Sequence, residues 1–317
     1  MSDLSIILPV YNEEENIQEL HSKIINALTK LGKSYEIIYI DDGSSDNSFE
    51  ILSQIAKADE KIKVIQFRRN FGQTAAIAAG IEHSLGDILI PMDADLQNDP
   101  EDIPKLLEKI DEGYDVVSGW RKNRKDKLIT RRIPSFLANK LISWVTGVHL
   151  HDYGCTLKAY RKEIIKDVKL YGEMHRFIPI YAFLAGGKVT ELVVNHHPRV
   201  HGQAKYGISR TLKVILDLFT VKFLLTFSTK PIYLFGGIGL ILLFIGILSG
   251  GVIVFQKIFF KMSMIQSPLL LLTALCFILS TQFILIGLLA EIIIRIYHES
   301  QTKSIYLVKK SINIGRG

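Results

Sequence analysis

The sequence predicts an α/β protein: a Rossmann-like domain with a mostly parallel sheet, followed by an interfacial helical region and two transmembrane helices. Two observations lead to this prediction. Up to about residue 205, apolar runs of strand length alternate with helical patterns, which is the rhythm of βαβ units. After residue 230, charged residues are almost absent from two long stretches, and only a membrane or a large core favours such stretches.

The alternation can be followed element by element as far as residue 118. Strands are predicted at Leu4–Val10, Tyr35–Ile40, Val64–Phe67, Asp87–Met92 and Asp115–Ser118. Helices are predicted between them at Glu14–Leu31, Ser48–Ala58, Thr74–Ser84 and Glu101–Glu112. Polar clusters follow three of the strands, and the carboxyl ends of strands in an open α/β sheet line a ligand crevice. We therefore expect these clusters to share one site.

The two apolar stretches are long enough to cross a bilayer. There are 26 uncharged residues between Lys230 and Lys257 and 29 between Lys261 and Glu291, whereas a span needs about 20. Buried core helices are the alternative, but neither stretch has a polar face. The predicted organisation is a soluble domain (1–205), an amphipathic juxtamembrane segment (206–230), spans at 231–256 and 268–294 joined by a non-cytoplasmic hairpin (257–267), and a cytoplasmic tail (295–317).

Basic residues predict the orientation and the partners of these spans. Lysines and arginines gather before the first span and after the second, so the positive-inside rule places the soluble domain and both termini in the cytoplasm, with an inner bacterial membrane as the expected location. The net charge of +6 gathers toward the same half and suits anionic head groups or a phosphorylated lipid. No nucleic-acid-binding motif is found, so nucleic acid is not an expected partner.

Two further patterns belong to the membrane part. Ser209–Thr229 has apolar residues at helical spacing with basic residues between them, which favours an interfacial helix over a core helix of the soluble domain. Gly246 and Gly250 form a GxxxG motif in the first span. That spacing permits close helix packing and a homo-oligomer, although it also arises by chance in a Gly-rich segment.

The most informative short motif is Asp93-Ala94-Asp95, followed by Gln97, at the end of a predicted strand. Two carboxylates separated by one residue suit Mg²⁺ or Mn²⁺, because these hard cations prefer oxygen ligands. Such a metal would neutralise a diphosphate leaving group. Taken alone, an Asp-x-Asp sequence also fits a solvated turn.

The context of this motif favours the metal site. Leu8-Pro9-Val10-Tyr11-Asn12-Glu13 comes first, and Asp41-Asp42-Gly43-Ser44-Ser45-Asp46 follows about 30 residues later, a spacing compatible with successive strand ends. With these motifs the chain resembles the family-2 glycosyltransferases, whose nucleotide-sugar-binding fold is called GT-A. The resemblance covers about residues 4–206.

The resemblance implies roles for these residues. Pro9, Tyr11 and Glu13 would line the nucleoside pocket, and Asp42 would contact the base or ribose. Asp93, Asp95 and Gln97 would hold the metal and the diphosphate, with Asp93 also counted among the donor-binding residues. For Asp42 a turn or capping role is the alternative.

Basic residues further along resemble the acceptor-phosphate site of polyprenyl-phosphate sugar transferases, the group that includes dolichol-phosphate-mannose synthases. They are Arg121, Arg131 and Arg132, with the hydroxyl residue Ser135 beside them. Arg199 and Lys205, in PRVHGQAKYG, resemble the family's basic motif before its membrane segment and would face the acceptor or donor phosphate. Arginine presents a planar fork of donors that matches phosphate oxygens. Ala204 stands where a serine is common in the family, which weakens a hydroxyl role there. A solvated or head-group-binding basic loop is the alternative for the individual arginines.

Asp152 and Asp95 are the candidate catalytic residues. Asp152 lies in a stretch that resembles the one where the family carries an acidic residue near the reaction centre. A lipid monophosphate is largely ionised at neutral pH, because its second pKa is about 6. Its oxygen therefore needs little deprotonation by a base before it attacks the sugar. Asp152 therefore either acts as a base or orients other groups.

The resemblance implies inverting transfer of a sugar to a polyprenyl phosphate, with undecaprenyl phosphate as the expected acceptor and a β-linked product. Glucose from UDP-glucose is the preferred donor because the two-span tail looks like that of bacterial glucosyltransferases. GDP-mannose and UDP-N-acetylhexosamines are alternative donors. Polysaccharide extension is disfavoured because no Gln-x-x-Arg-Trp motif is present. A non-catalytic membrane scaffold with the same fold is the alternative from another class, but the acidic residues that it would have lost are all here.

Overall fold

The apolar runs near the N-terminus form strands that are buried on both faces, as strands of a helix-covered parallel sheet are. The computed structural model describes residues 2–122, 139–140, 142–143, 146–168, 170, 174–198, 232–261, 263, 267–300 and 305–314. The chain divides into two compact units, one of residues 1–219 with 304–317 and one of residues 220–303.

The first unit follows the predicted alternation closely. Its elements up to residue 120 are β1 (Leu4–Val10), α1 (Ile17–Leu31), β2 (Tyr35–Asp41), α2 (Ser48–Ala58), β3 (Ile62–Phe67), α3 (Gln73–His83), β4 (Ile88–Pro91), α4 (Ile103–Asp111) and β5 (Val116–Trp120). The elements that follow in this unit are β6 (Lys158–Arg161), α5 (Lys162–Ile165), α6 (Ile178–Leu184), β7 (Val189–Val193) and β8 (Val308–Ile312). Short 3-10 turns occupy Pro100–Asp102 and Met174–Phe177.

Within the described residues the sheet has eight strands in the order β7-β5-β6-β4-β1-β2-β3-β8. β1 to β4 are parallel to one another, and β7 is parallel to β5. β6 and β8 pair antiparallel with their neighbours, so the sheet is mixed but mostly parallel, as predicted. No strand was predicted after residue 118, because β6, β7 and β8 are short and carry charged residues rather than an apolar run.

Helices cover both faces of the sheet. On one face, Ile6 and Leu8 of β1 belong to the same buried apolar cluster as Leu20 of α1. On the other face, Gly80 of α3 packs against Ile7, so closely that a Cβ at Gly80 would lie 2.3 Å from Ile7 Cγ2. Each fully buried Leu or Ile contributes about 1.5–3 kcal/mol, so this core fixes the strand ends that carry the polar clusters.

The second unit contains α7 (Ile232–Phe260) and α8 (Pro268–Ser300). Two stretches in them, Leu234–Phe260 and Pro268–Ala290, are long and apolar enough to cross a membrane. Many of their apolar side chains are exposed, such as Leu271 at 77%. This pattern fits a lipid environment better than a water-exposed surface.

Small residues bring α7 and α8 together. A Cβ at Gly246 would lie 3.3 Å from Cys276 Cβ, and one at Gly250 would lie 3.4 Å from Thr273 Cγ2. Between them, the hydroxyls of Ser249 and Thr273 are hydrogen-bonded at 2.8 Å. The close helix packing that the GxxxG spacing permits is therefore made with the neighbouring helix of the same chain.

Candidate functional site

The loops after β1 and β2 are joined by hydrogen bonds. The N–H of Asn12 donates to Ser44 Oγ at 3.0 Å, and Asn12 Oδ1 accepts from the N–H of Ser45 at 2.8 Å. Asn12 adopts a left-handed conformation with φ of 52°, which Asn tolerates better than most residues. The first two predicted motifs therefore meet at one edge of the sheet.

The three predicted nucleoside-pocket residues flank this junction. Pro9 lies in β1, paired in register with Ile40, and Tyr11 follows the strand with its side chain half-buried. Glu13 accepts a hydrogen bond from Asn16 Nδ2 at 2.6 Å, and its own N–H donates to Ser48 Oγ. These contacts make Glu13 part of the loop's internal structure.

Asp42 directly follows β2 and accepts two backbone hydrogen bonds. The N–H of Phe71 donates to Oδ1 at 2.7 Å, and the N–H of Gly72 donates to Oδ2 at 2.9 Å. Burial raises the pKa of Asp42 to about 6, although these two bonds oppose the change. The neighbouring Asp41 is directed elsewhere and accepts from the N–H of Ser44.

Sequence reasoning found Asp42 but not the loop that holds it. We call residues 68–72, between β3 and α3, the capping loop. It passes so close to Gly43 that a Cβ there would lie 2.5 Å from the carbonyl carbon of Arg69, and Gly43 has φ of +70°. A side chain at Gly43 is therefore excluded both by space and by backbone conformation.

Asp93 follows β4 and is held by two neutral side chains. Gln73 Nε2 donates to Oδ1 at 2.6 Å, and Thr156 Oγ1 donates to Oδ2 at 2.7 Å. Neither partner is charged, so these bonds orient the carboxylate without balancing its negative charge. Sequence reasoning missed both partners, since an uncharged polar residue near the start of a helix or in a loop gives no signal by itself.

Asp95 and Gln97 form a tight turn after Asp93. Asp95 is only 6% exposed, and its Oδ1 accepts from the backbone N–H of Gln97 at 3.2 Å. Leu96 between them has φ of 61°. The three predicted metal-binding residues therefore lie within five residues of one another in the turn after β4.

The donor set suits a divalent cation. Among the described residues no group of three or more His, Cys, Asp or Glu side chains forms a metal-binding cluster. Mg²⁺ in nucleotide sites is commonly held by one or two carboxylates plus substrate phosphates, and Asp93 supplies an oriented carboxylate with uncharged partners. The residues present therefore fit Mg²⁺ or Mn²⁺ that shares its remaining ligands with a diphosphate.

Asp152 forms a bidentate ion pair with Arg121. Arg121 Nε donates to Oδ2 at 2.7 Å, Arg121 Nη2 donates to Oδ1 at 2.9 Å, and the N–H of Gly154 also donates to Oδ1. Burial alone lowers the pKa of Arg121, but the adjacent carboxylate outweighs burial and raises that pKa above its ordinary value. The oxygens of Asp152 point to these donors, which favours an orienting role over that of a base.

The ion pair lies next to the Asp93 carboxylate. Thr156, which bonds Asp93, is four residues after Asp152, and Asp93 lies within electrostatic range of Arg121. A second arginine approaches from the 3-10 turn Met174–Phe177: a Cβ at Gly154 would lie 3.3 Å from Arg121 Nη2 and 3.5 Å from Arg176 Nη1. Sequence reasoning gave Arg176 no role.

The remaining predicted acceptor residues lie outside the described residues. They are Arg131, Arg132, Ser135, Arg199 and Lys205. The predicted interfacial helix, Ser209–Thr229, also lies outside them. Of the predicted acceptor residues, the structure describes Arg121, whose guanidinium is paired with Asp152.

Comparison with known proteins decides the family. The sequence pattern of glycosyl transferase family 2 matches residues 5–169, which include every carboxylate described above. The chain belongs to glycosyl transferase family 2. A crystal structure of glucosyl-3-phosphoglycerate synthase from Mycobacterium tuberculosis in complex with Mn²⁺ and UDP-glucose has a TM-score of 0.52 at 18% identity, covering 70% of this chain and 79% of that one. The glycosyltransferase thus has the GT-A fold predicted from its sequence.

Similar proteins match this glycosyltransferase almost from end to end. A dodecaprenyl-phosphate galacturonate synthase of Rhizobium johnstonii is 41% identical over 322 residues, covering 97% of this chain and 92% of that protein. An undecaprenyl-phosphate 4-deoxy-4-formamido-L-arabinose transferase of Klebsiella pneumoniae is 38% identical, covering 98% and 93%. The similarity includes the α7 and α8 region as well as the GT-A unit.

Proposed function

We propose that this glycosyltransferase is an integral membrane enzyme that transfers one sugar from a nucleoside diphosphate donor to a polyprenyl phosphate. The observation that carries the proposal is the end-to-end similarity to two transferases whose names specify dodecaprenyl or undecaprenyl phosphate. Two apolar helices long enough to cross a bilayer support it, because such an acceptor resides in the membrane.

The donor side of the proposed site lies at the ends of β1, β2 and β4. Pro9, Tyr11 and Glu13 line the nucleoside pocket, where the aromatic ring of Tyr11 can stack on the base. The ionised carboxylate of Asp42 accepts hydrogen bonds from ribose hydroxyls or a base N–H.

Asp93, Asp95 and Gln97 hold Mg²⁺ or Mn²⁺ in this proposal. The cation supplies neutralisation of the charge that develops on the leaving diphosphate. Gln73 and Thr156 contribute by fixing the orientation of Asp93 before the donor arrives, because each occupies one of its oxygens. Asp95 acts beside them as a buried carboxylate in the same turn.

The acceptor side uses the basic residues. An oxygen of the lipid phosphate attacks the anomeric carbon, the bond from that carbon to the nucleoside diphosphate breaks, and the configuration inverts. Asp152 keeps the Arg121 guanidinium in a fixed orientation near Asp93, so that it faces developing negative charge. Arg131, Arg132, Ser135, Arg199 and Lys205 bind the lipid phosphate.

We propose glucose as the transferred sugar and UDP-glucose as its donor. A uronic acid is the second candidate, because the 41% identical relative is named for galacturonate. The topology in the proposal is a cytoplasmic GT-A unit with both termini on the same side of an inner bacterial membrane, since the basic residues flank the spans there.

The proposal is tested with the purified full chain, undecaprenyl phosphate and a panel of radiolabelled donors, in Mg²⁺ or Mn²⁺. The panel contains UDP-glucose, UDP-galacturonate, UDP-4-deoxy-4-formamido-L-arabinose, UDP-N-acetylglucosamine and GDP-mannose. We expect lipid-extractable label from one donor. Asp95→Asn should lower the rate at least about a hundredfold, as the loss of one group that stabilises transition-state charge does.

Asp111→Asn is the matched control, because Asp111 is a largely exposed carboxylate in α4, away from the strand ends. It should retain the wild-type rate. Absence of labelled lipid from every donor, while nucleotide binding persists, would contradict catalysis with this acceptor and favour the scaffold function.

A further inference from the structure

The C-terminal segment, residues 305–314, is part of the GT-A unit rather than a free tail. β8 pairs antiparallel with β3, with Gln66 opposite Lys310 and Phe67 opposite Val308. At the far end of β8, Asn313 Nδ2 donates to the carbonyl oxygens of Ala56 and Ile62 at 2.6 and 2.9 Å. The sequence predicts only a cytoplasmic tail here, over residues 295–317.

Tyr306 anchors the beginning of this segment. It is 6% exposed, and its ring stacks on Phe67 with centroids 4.9 Å apart and an interplanar angle of 20°. Its hydroxyl donates to Glu82 Oε2 at 2.6 Å. Tyr306 therefore ties the last residue of β3 to α3, the two elements that flank the capping loop.

The capping loop is fixed at both of its ends. At one end the N–H of Arg68 donates to the carbonyl oxygen of Leu307 at 2.9 Å, immediately after Tyr306. At the other end the N–H groups of Phe71 and Gly72 donate to Asp42. In between, the ring of Phe71 meets Phe67 edge-on, with centroids 5.7 Å apart.

A continuous set of contacts thus runs from Tyr306 to the Asp42 carboxylate. Tyr306 packs on Phe67, Phe67 packs on Phe71, and Phe71 donates its N–H to Asp42. Every contact lies within the first unit, and all of its residues are described. Because two backbone N–H groups set the orientation of Asp42, any displacement of the capping loop changes the direction of its free lone pairs.

We propose that Tyr306 is a positioning residue for nucleotide binding, acting through Phe67 and the capping loop to hold Asp42 toward the nucleoside. The inference rests on the proposed function, in which Asp42 contacts the base or ribose. It assigns the segment after the second apolar helix a part in donor recognition. Tyr306 itself touches no substrate.

The experiment measures UDP and GDP binding to the full chain with Mn²⁺ by calorimetric titration. Tyr306→Ala should raise the Kd of the bound nucleotide about fivefold to tenfold, since it removes one aromatic pair and frees the loop. Tyr306→Phe keeps the ring on Phe67 and removes the hydroxyl that donates to Glu82, so its Kd should stay within about twofold.

Two controls separate positioning from general destabilisation. Asn313→Ala loosens β8 at the end remote from the capping loop, so it should lower the thermal midpoint without changing the nucleotide Kd. Lys309→Ala changes an exposed residue of β8 and should alter neither quantity. With a working donor, Tyr306→Ala should also raise the donor KM while kcat stays near the wild-type value.

The outcomes distinguish the inference from the proposed function. An unchanged Kd in Tyr306→Ala, or equal increases in Tyr306→Ala and Asn313→Ala, would overturn the positioning role alone. A wild-type chain that binds neither UDP nor GDP would overturn the proposed function and the inference together. A Kd raised in Tyr306→Ala and restored in Tyr306→Phe supports the inference.

Discussion

Asp42 and Asp93 both follow buried strands, yet their carboxylates have different surroundings. Asp42 accepts hydrogen bonds from two backbone N–H groups of the capping loop, whereas Asp93 accepts hydrogen bonds from two neutral side chains. Asp152, the third key carboxylate, is paired with a guanidinium. Three acidic residues that look alike in the sequence thus have three different environments, which support the different roles proposed for them.

The environment of Asp42 predicts a pH dependence of donor binding. Burial raises its pKa to about 6, and only the ionised carboxylate accepts hydrogen bonds from the loop and the nucleoside together. As pH falls through this value the carboxylate gains a proton, so the Kd for UDP-glucose should rise about tenfold between pH 7.5 and pH 5.

The measurement is a titration of UDP-glucose binding across this range with Mn²⁺ present. UDP-glucose is chosen because both of its phosphates are esterified and remain ionised throughout. Asp42→Asn should bind more weakly, with no inflection near pH 6. A wild-type Kd that does not change over the same range would contradict an ionised Asp42 in the donor site.

The elements that position these residues were predictable where their apolar pattern is strong. The bounds predicted for β1 and α2 agree with the structure, since each has a clear apolar pattern between polar turns. β6 and β8 escaped prediction because KAYR and VKKSI carry as many charged as apolar residues. Their pairing with β4 and β3 depends on residues distant in the sequence, which no local pattern reveals.

The same limit applies to the site. The carboxylates could be found from short motifs, but their partners lie far away in sequence. Arg121 and Asp152 are 31 residues apart, and Thr156 is 63 residues from Asp93. Each partner residue is visible in the sequence, but the pairing depends on how the sheet places β6 between β5 and β4.

The close contact between α3 and β1 predicts that a larger side chain at Gly80 destabilises the protein. Gly80→Val places a branched side chain where a single Cβ already lies 2.3 Å from Ile7 Cγ2, so it should destabilise the first unit by about 1–3 kcal/mol. Ala78→Val, at a half-buried position of the same helix, should cost less than about 0.7 kcal/mol.

The free energies of unfolding are measured by urea denaturation of the full chain, monitored by tryptophan fluorescence. Trp120 is the last residue of β5, so its fluorescence reports on the sheet. Equal midpoints for the two variants would mean that α3 does not approach β1 as closely as described.

At the scale of the whole molecule, the sequence is divided between a charged α/β unit and an apolar helical unit. The first has the GT-A fold of its family, and the second has exposed apolar helices that a bilayer would cover. Similarity to the two polyprenyl-phosphate transferases extends over both. A membrane-bound acceptor explains why one enzyme combines these parts, since anchoring keeps the catalytic unit near a lipid phosphate.

In the proposed reaction, one sugar is added to one polyprenyl phosphate. The most direct test is the mass spectrum of undecaprenyl phosphate after incubation with the full chain, Mn²⁺ and the donor panel. We expect a single new lipid species, heavier by one glycosyl residue, from one donor. A ladder of added sugars, or consumption of the donor with the lipid mass unchanged, would contradict it.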